Sequence, residues 1–121
     1  MREMHKAYAA VARETSSPRD LEASLLLKAA YKLQSIHDEW NDKRGGLSEA
    51  LSYNRRLWVV FLDSVCSNDN QLPTAVRQNI ANLGVFVMNE TVSITLNPNP
   101  ANLVPLININ RRLAAGLRGK S

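Results

Sequence analysis

The chain has 121 residues, 45% of them hydrophobic and 21% charged, with a formal net charge of +4. That length buries roughly two-thirds of the unfolded surface in a single domain without metals or disulfides, and the composition is globular rather than disordered. No apolar run approaches the ~18 residues of a membrane span, the polar opening Met1-Arg2-Glu3-Met4-His5-Lys6 has no signal-peptide hydrophobic stretch, and the lone Cys66 excludes a disulfide scaffold.

Five helices are predicted in chain order. The first, about Met4 to Thr15, is alanine-rich, with Tyr8 as its one large side chain. Ser17 is placed to cap the second, with Pro18 in its first position and Asp20 at its positive end. That helix runs to about Asn41 on a stripe of Leu21, Leu25, Ala29, Leu33, Ile36 and Trp40, and Gly45-Gly46 ends it. The third, about Leu47 to Cys66, carries Leu47, Leu51, Asn54, Trp58, Phe61 and Val65 at nearly heptad spacing. Ser67 to Asn70 reads as a loop. The fourth opens at Pro73 and carries Val76, Ile80, Leu83, Val87, Thr91 and Ile94. Its β-branched end, Thr91 to Leu96, reads about as well as a strand, but a lone strand has no partner, so helix is preferred. Two prolines make Asn97 to Asn102 a loop. The fifth helix carries Leu106, Ile107, Asn110, Leu113, Ala114 and Leu117. Short connections between successive helices favour an all-α, antiparallel bundle of one domain, residues 1–121.

The charge is uneven. Residues 1–44 hold eight bases and seven acids, and residues 45–103 hold three and four. Residues 104–121 hold Arg111, Arg112, Arg118 and Lys120 with no acid, so the whole excess sits in the tail. Bases near a helix end favour its dipole, and a dedicated RNA binder needs a basic stripe with exposed aromatics. RNA contact is therefore disfavoured.

Catalytic chemistry is missing. Gly45-Gly46-Leu47-Ser48 lacks the lysine of a phosphate loop. His37, Asp38 and Glu39 are adjacent on a helix and should point in different directions, so no metal site is expected. Cys66 is expected to be a buried structural thiol in a reduced, cytoplasmic setting. The chain reads as a non-enzymatic protein with no cofactor.

Two asparagines stand where the stripes expect apolar residues: Asn54 and Asn110, each inside an Asn-Arg-Arg-Leu tetrad. An unsatisfied buried amide costs roughly 1–3 kcal/mol. In the structural reading each bonds to backbone or to the other and fixes register; in the functional one they line a groove for a partner. The structural reading is preferred. The candidate partner-binding positions are Tyr8, Asn54, Arg55, Trp58, Asn110 and Arg111. Tyr8 is the best exposed anchor, because its helix has little else with which to dock.

An ordered set of residues resembles the FlaF family of alphaproteobacterial flagellar biosynthesis regulators. It comprises Ala7-Tyr8, Pro18-Arg19, Glu22, Leu51, Asn54-Arg55-Arg56-Leu57-Trp58, Asn70-Gln71-Leu72-Pro73, Arg77, Ile80, Leu106-Ile107, Ile109-Asn110-Arg111 and Gly116-Leu117. The match spans nearly the whole chain, and its specificity lies in order and spacing rather than in any one piece. Asn89 to Val104 does not align. The resemblance implies a role in flagellin production and flagellum assembly, after transcription and in opposition to FlbT, a repressor acting on flagellin messenger RNA. It further implies direct binding of flagellin as an adaptor or export chaperone. The alternative is a post-transcriptional regulator acting on the messenger RNA directly or by docking on the FlbT-type repressor.

Overall fold

A computed structural model describes residues 17–119. Among these residues every long element is an α-helix: α1 (Pro18–Asp38), α2 (Leu47–Val65), α3 (Thr74–Leu96) and α4 (Leu103–Leu117). The expected fold class, all-α, is observed, with four long helices among the described residues. The helix expected over Met4 to Thr15 lies outside the described residues.

The first helix starts as its sequence dictates. The Ser17 hydroxyl accepts the Asp20 N–H at 3.1 Å, Pro18 occupies the first turn, and Arg19 pairs with Glu22 at 2.8 Å. It ends earlier than expected. Glu39 leaves helical space at φ −126°, ψ 50°, and the chain resumes as a single turn, Trp40–Lys43, then a 3₁₀ turn through Gly46. The Lys43 ammonium fastens the break by meeting Glu39 at 2.6 Å and Ser35 Oγ at 2.7 Å.

Helix α1 packs most extensively on α4, and also on α2. Ala23, Ala29 and Ala30 are fully buried there, and such small side chains let two helix backbones approach closely. All six stripe positions of α2, Leu47 through Val65, are buried, as the heptad spacing requires. Trp58 is the largest enclosed side chain and meets Phe61 edge-on at 5.9 Å.

The link between α2 and α3 is fixed by side chains. Asn70 Nδ2 donates to Ser64 O at 3.1 Å, its Oδ1 accepts the Leu72 N–H at 2.9 Å, and Arg77 Nη1 donates to Ser67 O at 3.2 Å. Helix α3 then packs chiefly on α2. Its buried positions are Ile80, Gly84, Val87, Thr91 and Ile94. A Cβ on Gly84 would lie 2.6 Å from Leu62 Cδ2, so the bare backbone there seats the leucine. The β-branched end is helical to Leu96. The Thr91 and Thr95 hydroxyls donate to the carbonyls of Val87 and Thr91, each at 2.7 Å, and so bond within the helix itself. Cys66 is exposed at the end of α2, not buried as expected, because the helix stripe stops at Val65 and the chain turns away from the core. No helix among the described residues is long and apolar enough to cross a membrane.

Candidate functional site

The two Asn-Arg-Arg-Leu tetrads meet in space. Trp58 Nε1 donates to Asn110 Oδ1 at 2.9 Å, and Asn110 Nδ2 donates to Asn54 Oδ1 at 2.7 Å. Asn54, Trp58 and Asn110 each have 0% exposure, so this chain of bonds locks α2 to α4 inside the core. Asn54 Nδ2 has no partner there. Three of the six candidate partner positions are thereby corrected. Asn54, Trp58 and Asn110 offer a partner no surface, because the apolar stripes that carry them face each other. The register-fixing reading of the asparagines accounts for the geometry.

The other three positions differ. Tyr8 lies outside the described residues. Arg111 is exposed on α4, close enough to Asp38 to affect its charge. Hydrogen bonds from His37 at 3.0 Å and Gln34 at 2.8 Å are the main causes that hold the Asp38 carboxyl below its ordinary value. His37 and Asp38 do touch, against the expectation from adjacency. Among the described residues no group of three or more His, Cys, Asp or Glu side chains is placed to hold a metal. Arg55 is exposed on α2 and makes no ion pair or hydrogen bond among the described residues.

Among the clefts beside α1, two are the more open. One, about 290 Å³, is lined by Tyr31, Lys32, Ser35, Glu49 and Tyr53. Lys28 and Lys32 lie 5.8 and 5.0 Å from the Tyr53 ring centre, and burial pushes the Tyr53 hydroxyl above its ordinary value. The other lies beside Pro18 and the Ser67–Gln71 loop, where Arg19, Glu22, Asp63 and Asn70 are among the lining residues. Neither gathers a nucleophile, a base and an oxyanion donor.

The surface sequence reasoning missed is the outer side of α3. Residues 78–110 contain one charged side chain, Glu90. Gln78, Asn82, Val85, Asn89, Val92 and Leu96 form a second stripe at steps of four and three, opposite the buried one, and every member is exposed. Leu96 is 80% exposed, Val85 62%, Val92 59%, and Phe86 beside them 41%. Exposed apolar side chains grouped on one side of a helix make this a candidate interaction surface. The signal was present in the near-absence of charge. A helix buried on both sides would look the same.

The chain matches the family model described as flagellar protein FlaF over residues 4–117. It belongs to the FlaF family. Comparison with curated proteins and with solved structures gives no match. The residues that carry the resemblance thus divide by role: Asn54, Trp58 and Asn110 join α2 to α4, Asn70 and Arg77 brace the link into α3, and Arg55 is left at the surface.

Proposed function

We propose that this FlaF protein is a non-enzymatic adaptor or export chaperone that binds unassembled flagellin in the cytoplasm. The observation that carries the reading is the outer side of α3, where Val85, Phe86, Val92 and Leu96 are exposed along a nearly uncharged helix. Each such side chain, buried against a partner, contributes roughly 1.5–3 kcal/mol before the costs of association. A helical client that shields its own apolar stripe in the same way is held apart from premature assembly.

The alternatives draw on the same family. Docking on the FlbT-type repressor would use the same kind of surface, and direct contact with flagellin messenger RNA would use the tail. The tail supports RNA poorly. Arg118 Nη2 is bound to Ser24 Oγ at 2.7 Å and its Nε lies 3.9 Å from Asp20, so among the described residues the tail offers a nucleic acid only the neighbouring Arg111 and Arg112 as unengaged bases.

Calorimetric titration of purified flagellin, of the repressor and of flagellin messenger RNA separates the three. Flagellin binding should show a negative heat-capacity change and weaken only modestly with salt, and Tyr8→Ala should weaken it while leaving the fold intact. RNA binding would instead fall steeply with salt as counterions are released. Retention of RNA with no affinity for flagellin overturns the reading.

A further inference from the structure

Between the first half of α2 and the last half of α3 runs an open groove of about 250 Å³. Its floor is Leu51 and Thr91, both buried, and its outer wall is Val92, Thr95 and Leu96. Most of the polar side chains along it are already engaged, Ser48 being the exception among the serines and threonines. The Thr91 and Thr95 hydroxyls donate to their own helix. Ser52 Oγ accepts from Arg56 Nε at 3.2 Å and Nη2 at 3.0 Å. Arg55 stands on the opposite lip with its guanidinium unpaired among the described residues.

We infer that this groove seats one amphipathic helix of a partner protein, whose apolar stripe lies on Leu51, Val92 and Leu96 and whose flanking carboxylate pairs with Arg55. The inference rests on the adaptor reading and assigns it a place and a charge pattern. An occupant with few hydrogen-bonding needs of its own is favoured, because both threonine hydroxyls donate to their own helix and Ser52 Oγ already accepts from Arg56. A helix satisfies its backbone internally, whereas an extended peptide needs a free sheet edge, and the described residues contain no strand. Nucleic acid is a poor fit, since a single guanidinium beside an apolar floor gives neither a basic track nor a stacking platform. Guanidinium and carboxylate form a bidentate pair at the rim of such a seam, which sets orientation more than affinity.

Purified flagellin titrated against wild type, Val92→Asp, Leu96→Asp, Arg55→Glu, Arg55→Lys and Tyr31→Asp provides the test, with circular dichroism and urea midpoints recorded for each. All four positions are at the surface, so the five variants should fold. Val92→Asp and Leu96→Asp should each weaken binding by roughly tenfold or more. Arg55→Glu should weaken it roughly five- to tenfold at low salt, with a smaller loss at high salt, and Arg55→Lys should retain most of the affinity. Tyr31→Asp, in the separate cleft between α1 and α2, should bind as wild type does. Wild-type binding that ignores Val92, Leu96 and Arg55 overturns the groove but leaves the adaptor reading intact. No wild-type binding overturns both. A concentration-dependent dimer in light scattering that Leu96→Asp abolishes would show a second copy in the groove, and would also overturn the assignment.

Discussion

Asn54 and Asn110 lie on the seam of α2 and α4 with no accessible surface, whereas Asn82 and Asn89 stand exposed on the outer stripe of α3 beside Val85, Val92 and Leu96. Both pairs occupy heptad-like positions among apolar residues, and their fates are opposite. The inner amides have each other and the Trp58 indole; of the outer ones, Asn82 Oδ1 accepts only from the exposed Gln78 side chain on its own helix, at 3.1 Å, and Asn89 has no partner among the described residues. A stripe of this composition therefore states only that a helix can be covered. Whether this chain covers it depends on how many helices come to lie around it, and α3 packs chiefly on one neighbour.

The contrast can be broken most sharply at Asn110. Asn110→Leu removes the acceptor of Trp58 Nε1 and the donor to Asn54 Oδ1 together, leaving two buried groups unpaired. At roughly 1–3 kcal/mol for each, a loss of roughly 2–6 kcal/mol is expected in urea denaturation. A midpoint within error of wild type would mean the inner amides are not bonded as described.

Asn54→Leu should cost less, roughly 1–3 kcal/mol, because it strands only Asn110 Nδ2 and also removes the unpartnered Nδ2 of Asn54 itself. The double variant should fall short of the sum of the singles, as expected of neighbours in one network. Strict additivity would dissolve the network into independent sites.

On the outer stripe, Asn89→Leu should change stability by no more than about 0.5 kcal/mol, since the side chain is exposed and no hydrogen bond of its own is lost. A large shift in the urea midpoint there would show that α3 is covered in solution.

The smallest effect concerns Tyr53, whose buried hydroxyl has no partner. Desolvation raises its pKa above the ordinary 10.0. The folded chain thus holds a proton that the unfolded chain has begun to release, so stability is complete below about pH 10 and declines as pH rises through the raised value. Tyr53→Phe should match or slightly exceed wild type near neutral pH and should lack that alkaline decline. Urea midpoints for the two proteins between pH 8 and 11 check this. Curves that stay parallel would place the hydroxyl in water.

Much of the fold was legible in the sequence. Ser17-Pro18 fixed the start of α1, the spacing Leu47 to Val65 named the whole buried face of α2, and Pro73 opened α3. Those features are local: a cap hydrogen bond, a 3.6-residue period and a fixed proline φ act within a few residues of one another. The candidate site was much less legible. Of its described positions, Asn54, Trp58 and Asn110 went to the core, and the exposed Val85, Phe86, Val92 and Leu96 were not among them.

The sequence by itself determined the helices, their buried stripes and the match to a flagellar protein family over residues 4–117. Only the tertiary structure decided that the two tetrads bond across α2 and α4, that Glu39 breaks the first described helix, that Cys66 is exposed, and that Val85, Phe86, Val92 and Leu96 of α3 are exposed. The physical reason is that periodicity records which residues share a face, while burial depends on what stands opposite that face. The arrangement opposite is set by contacts between residues far apart in the chain, such as Asn54 with Asn110, which no local pattern encodes.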